Sequence, residues 1–258
     1  MATDLHGVVA TFFYNGMMQR RIKSEKSMSF TYEEMPSRSR FVEVIWRTED
    51  RTDGVYMAPA DGCWDLIFIT QDNQTHVLFS GPTTRPTPLA YRAGNKNLGI
   101  RFRPGTCMTQ APALAMRNVV ERLPMQGERQ FLLFDHTFTV PTYETADDFV
   151  AELEHLGLLG HDHVVNAVLS NRDPQITGRS VQRHFLQATG LSAKSHHRIA
   201  QAQHAVDLLR NGHTPIEVAH EAGYADQAHM TRALKELTGH TPAEIATTTE
   251  PIIVEHRS

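Results

Sequence analysis

Residues 216–245 read IEVAHEAGYADQAHMTRALKELTGHTPAEI, and this stretch decides the fold of the C-terminal third of the chain. Thr214 and Pro215 just before it are an N-cap residue and a first-position proline, so a helix is predicted over Thr214–Ala222. After Gly223 and Tyr224 the apolar residues Met230, Leu234 and Leu237 recur at helical spacing. They predict a second helix over Asp226–Thr238, closed by Gly239. A third opens on Thr-Pro, over Thr241–Ala246.

Working outward, the same unit occurs once more upstream. RHFLQATGLSA (183–193) and RALKELTGHTPA (232–243) both run Arg, apolar, polar, Thr-Gly and then a capping Ser or Thr. Thr177–Thr189 is the predicted helix of the first copy, and a long helix over Ser192–Arg210 joins the two. Two further helical segments precede them, Thr145–Leu156 and His161–Ser170, which makes seven from about Tyr143 onward. Val181, Phe185 and Ala188 form the inward face of the first repeated helix; Arg179, Gln182 and Arg183 lie opposite. In the second, Gln227, Ala228, Thr231, Arg232 and Lys235 lie away from the apolar stripe. Arginine pairs with guanine through two hydrogen bonds and glutamine with adenine, so both faces carry side chains suited to a DNA major groove. Phe185, Tyr224 and Leu234 read as core, because a reader of duplex DNA needs no stacking platform.

With these residues in view, 216–245 closely resembles the signature of the AraC/XylS regulators, through Ile216, Val218, Ala219, Gly223, Tyr224, Arg232, Lys235, Gly239 and Pro242. SVQRHFLQATGLS (180–192) resembles the first recognition helix, and AVDLL (205–209) the end of the joining helix. The resemblance implies a sequence-specific DNA-binding transcription regulator with double-stranded DNA as partner, activator or repressor. Two departures stand out. The turn Asn171-Arg172-Asp173-Pro174 before the first recognition helix is irregular, and Gln201 and Gln203 stand where relatives often carry arginine.

The first 140 or so residues are β-rich. Strands are predicted at Arg40–Thr48, Gly54–Pro59, Trp64–Thr70, His76–Ser80 and Asn97–Arg103, and a helix over Pro112–Leu123. PADGCWDLIFIT, FSGPTTRP and GIRFRPG look like the cupin-like barrel that precedes the DNA module in some relatives. The expected class is therefore α+β. A β-rich effector and dimerisation domain spans 1–142, a double helix-turn-helix domain spans 143–247, and a tail spans 248–258. The resemblance implies a small-molecule effector inside the barrel and a homodimer through it. Trp46, Tyr56, Trp64, Phe68, Arg101 and Arg103 are the candidate effector-binding residues, since such pockets combine aromatic walls with a few polar anchors.

Charge adds an asymmetry. The chain carries a net −4, and 143–258 holds nine Lys/Arg against 15 Asp/Glu. Within it, 171–215 is net +4 and 216–245 net −3, which predicts that the first recognition helix supplies most of the electrostatic affinity. Fifteen histidines invite a metal reading, but His161-Asp162-His163 and His196-His197 have no zinc-ligand spacing and no His-x-His occurs in 40–105. No metal and no cofactor are expected. No catalytic set appears, so an enzyme is not expected, and Cys63 in ADGCWD does not look like an alkyl-transfer site. A redox-sensing pair of Cys63 and Cys107 is the remaining alternative to two spectator thiols. The start, Met1–Ala10, has no signal-peptide pattern and no run suits a membrane span, so a cytoplasmic protein is expected.

Overall fold

A computed structural model describes residues 30–247; the readings of Met1–Ala10 and of the tail 248–258 lie outside them. The chain opens with strands β1 (Phe30–Met35), β2 (Val42–Asp50), β3 (Gly54–Ala58), β4 (Asp65–Gln71), β5 (Gln74–Ser80), β6 (Thr87–Tyr91), β7 (Lys96–Phe102) and β8 (Thr106–Met108). Helix α1 (Ala113–Met116), strands β9 (Val120–Arg122), β10 (Gln130–Leu133) and β11 (His136–Thr139), helix α2 (Ala146–His155) and strand β12 (Leu159–His161) follow. The rest is helical: α3 (His163–Leu169), α4 (Gly178–Thr189), α5 (Ala193–Arg210), α6 (Pro215–Glu221), α7 (Gln227–Thr238) and α8 (Pro242–Thr247). A β-rich N-terminal part thus precedes a helical helix-turn-helix region.

Six strands form one antiparallel sheet in the order β1-β2-β7-β4-β5-β9. Alternation, broken in β2 by a register shift between Val42 and Val44, gives it two apolar faces. One carries Ile45, Leu66, Phe68, Leu98, Ile100 and Phe102 and is covered by Phe131 and Phe138 of the β10–β11 hairpin and Phe149 and Leu153 of α2. Phe68 meets Phe131 and Phe149 edge-on, at 5.6 and 5.9 Å between ring centres. The other face carries Val44, Trp46, Ile67, Ile69 and Leu78, and shares one cluster with Tyr56 and Ala58 of β3, Leu89 and Tyr91 of β6, and Ile199, Ala202 and Val206 of α5. Trp46 lies against the backbone of its cross-strand partner Gly99, where an added Cβ would stand 2.0 Å from the indole.

Three expectations need correction. Among the described residues the sheet does not close into a barrel: it begins at β1 and ends at β9, while β3 and β6 form a separate ribbon. Its inner face is covered by that ribbon and by α5, so burial is completed without closure. The helix expected over Pro112–Leu123 is only α1, because Asn118 takes a left-handed φ of 58° and Val120–Arg122 then pairs with β5. Segment His161–Ser170 begins as strand: β12 pairs with β8, and Asp162 starts α3 by accepting hydrogen bonds from the Val164 and Val165 backbone N–H groups.

Helix α2 starts at Thr145, the N-cap expected there, but without a side-chain capping bond; the later helices start and stop on capping residues. Thr177, Ser192, Thr214 and Asp226 each accept a backbone hydrogen bond as N-cap, and Thr214 forms a reciprocal capping box with Glu217. Gly190 and Gly239 end α4 and α7 at φ of 72° and 81°, conformations that L side chains resist.

Candidate nucleic-acid interface

In the first motif, Phe185 and Ala188 of α4 pack on Val165 of α3, with Val168, Val181 and Cys107 at the margin. The connection between α3 and α4 holds Asn171 and Gln175 at φ of 53° and 56°, and the Asp173 carboxylate accepts the Gln175 N–H at 2.8 Å. The irregular turn is thus built by a side chain closing on its own backbone. Arg179, Gln182 and Arg183 stand exposed on the outer face of α4. His184 faces back, 2.7 Å from Asp162, which couples α4 to the N-cap of α3.

The second motif repeats the plan with α6 as support. Met230, Leu234 and Leu237 are buried, and Gln227, Ala228, Arg232 and Lys235 are exposed. Thr231 is half-buried and its hydroxyl donates to the Gln227 carbonyl at 2.8 Å. Tyr224 is core, as expected: its ring meets His229 edge-on at 5.4 Å, and burial pushes its hydroxyl up to about 12. Gln201 donates from its amide to the carbonyls of Ala222 (2.9 Å) and Gly223 (3.1 Å), so it closes the α6–α7 turn. Only its position beneath that turn reveals this role; the sequence carries no signal for it.

Electrostatically the halves differ. Among the described residues Arg172, Arg179, Arg183 and Lys194 are exposed with no acidic partner within 4 Å, whereas Arg198 is bound to Glu236 at 2.6 Å. Arg232 and Lys235 are likewise unpaired, but Glu217, Glu221 and Asp226 share their motif. His196 is buried, 3.0 Å from the Thr189 hydroxyl and edge-on to Phe185, which makes it part of the core. His161 stacks on Phe41 at 4.4 Å, and burial lowers its basicity. No metal-like group of His, Cys, Asp or Glu occurs among the described residues.

The six effector candidates do not meet in one place. Trp46 and Tyr56 lie on the face shared with α5, while Phe68 lies on the opposite face. Trp64 stacks on Phe79 at 5.1 Å, Arg101 is buried between two aspartates, and Arg103 is exposed. Of the six, Phe68 reaches a groove of about 420 Å³, whose rim carries Glu33, Arg47, Lys96 and Glu144. Both cysteines are free, and burial raises both thiols, Cys63 strongly. Among the described residues no helix is long and apolar enough to cross a membrane.

Residues 174–248 match a family described as a helix-turn-helix domain, and residues 35–120 match a domain of unknown function (DUF6597). No curated protein matches the chain. Among solved structures, ToxT from Vibrio cholerae at 1.65 Å resolution is 9% identical with a TM-score of 0.38, covering 85% of this chain and 98% of its own. ToxT bound to (E)-4-(8-methylnaphthalen-1-yl)but-3-enoic acid is 10% identical with a TM-score of 0.40, over 85% and 98%. The unsaturated fatty acid-bound form gives 10% and 0.37, over 90% and 100%. The helix-turn-helix domain at residues 174–248 is of AraC type, a DNA-binding module of transcription regulators.

Proposed function

We propose that α4 and α7 are the two recognition helices and enter successive major-groove segments on one side of the duplex, held apart by α5. The supporting observation is that both helices bury one apolar stripe and leave the opposite, N-terminal polar face exposed. Arg179, Gln182 and Arg183 would contact one segment, and Gln227, Ala228, Thr231, Arg232 and Lys235 the other. Thr231 offers its methyl group more readily than its hydroxyl, which is engaged with Gln227. The first helix contributes most of the phosphate attraction, because its cations are unpaired and few acids lie near.

The test is selection of DNA fragments by the purified full chain followed by sequencing. A site of two blocks, centred about 10 base pairs apart as successive groove faces require, is expected. No enriched site at low salt would overturn the reading.

A further inference from the structure

The β-rich part seats each helix-turn-helix separately. The first seat is β8 and α1. Strand β12, which leads directly into α3, pairs with β8 through Leu159–Met108 and His161–Thr106. Gly105 lies under α3, where a Cβ would stand 2.8 Å from Leu169 and 3.2 Å from Val165. Gly190 at the end of α4 lies on Ala113, where a Cβ would stand 2.4 Å from the carbonyl oxygen.

The second seat is the loop from β3 into β4, with Pro86. Ala60 donates its N–H to the Leu237 carbonyl at the end of α7, at 2.8 Å. Gly239 lies against Met57 and Pro86, with a virtual Cβ 2.8 and 3.6 Å from them. Gly62 touches α5 at Ile199 and His196, 3.4 and 3.6 Å from its virtual Cβ.

The β4–β7 ladder, in which Arg101 stands opposite Asp65, links the two seats through the backbone, and one side chain adds a buried tie between them. Arg101 stands on β7, whose chain runs on through Gly105 into β8 and the first seat. Its guanidinium binds Asp65 at 2.9 Å and Asp61 at 2.9 Å, both at the second seat, with all three side chains 1% exposed. Asp61 in turn accepts from the Thr83 hydroxyl (2.8 Å) and the Cys63 N–H (3.0 Å), and Gly62 N–H donates to the Thr83 carbonyl. The loop that seats α7 and α5 has no ladder of its own, so this buried cluster defines its shape. Buried ions are costly to desolvate and earn little net stability, but their short, directional hydrogen bonds fix geometry.

We propose that Arg101 is a positioning residue for DNA reading: by tying the two seats it sets the separation and angle of α4 and α7. The proposal rests on the reading that both helices enter the groove. It does not place Arg101 near DNA.

The test uses the full chain and its selected site, with one base pair inserted or removed between the two blocks, a turn of about 35° per step. Wild type should prefer the native spacing by about tenfold or more. Arg101→Lys keeps the charge but loses the two-pronged contact, and should cut that preference at least about fivefold, within the range of ordinary site coupling. Its salt dependence should stay unchanged, since no phosphate contact is lost. A role in stability alone would lower active protein without altering the spacing ratio. The double variant Met57→Ala/Pro86→Ala loosens the second seat without touching the ions, should give the same relaxation, and decides the matter where Arg101→Lys does not fold. Folded variants with the wild-type ratio overturn the proposal. Absence of any selected site in wild type overturns the underlying function instead.

Discussion

Arg198 on α5 binds Glu236 on α7 at 2.6 Å, and this takes from Arg232 the acid that stands four residues after it on its own helix. Arg232 is left exposed and without an acidic partner among the described residues. The intrahelical pair between Arg232 and Glu236 therefore does not form.

Salt dependence separates the two motifs. Arg183→Ala should reduce the slope of log affinity against log salt by about 0.9, one phosphate's worth, while Arg232→Ala should reduce it by less. Filter binding or anisotropy from about 50 to 200 mM salt measures both. An equal or larger loss for Arg232→Ala would show that the second helix dominates.

Phe185 of α4 is fully buried against Val165 of α3 and His196 of α5. Phe185→Ala should destabilise the protein by about 3–5 kcal/mol, from lost transfer energy and the cavity left behind. Denaturant unfolding reads the change, and a loss below about 1 kcal/mol would mean that the first motif is not packed as described.

Burial raises Asp65 to about 7, with Arg101 opposing and Asp61 adding to the rise. Two buried carboxylates share one guanidinium, so the native state holds a proton that the unfolded chain releases near pH 4. A raised folded value means stability that is complete below pH 4 and declines as pH rises toward 7. Asp65→Asn should flatten this decline, which cannot exceed about 1.4 kcal/mol per pH unit for one proton. Unfolding midpoints of wild type and variant at pH 4.5, 5.5 and 6.5 check it; parallel curves would refute the assignment.

Gly99→Ala should prove more damaging than a surface Gly→Ala change such as Gly178→Ala. Its Cβ would lie 2.0 Å from the Trp46 ring, whereas Gly178 has nothing within 4 Å. Overpacking of this kind costs about 1–3 kcal/mol. Thermal melts of the two variants compare them, and similar midpoints would contradict the Trp46–Gly99 packing.

Much of the helical part is legible in the chain itself. Thr214 and Gly239 act as the caps that the sequence marks, and the apolar stripes of α4 and α7 face inward. Each is a local property, set by residues within one or two turns. Within 40–103 the strands other than β6 are likewise recognisable, β7 by alternation and the rest by β-branched and aromatic content between turn formers; β1 and β6 lie outside the predicted set. Three-residue strands such as β9 and β12 are too short to show a period, and pairing alone defines them.

The amino-acid sequence by itself determined that this chain carries two like helix-and-turn units with a joining helix, because caps and helical periodicity depend on near neighbours. Only the tertiary structure decided that the sheet stays open, that Gln201 closes a turn, and that Arg101 ties the two seats. Those outcomes rest on contacts between distant positions. Arg101 lies 36 and 40 residues from its aspartates, and Gln201 lies 21 and 22 from its carbonyls. Nothing in the local chemistry of either residue selects those partners; the packing of the sheet and of α5 brings them within reach.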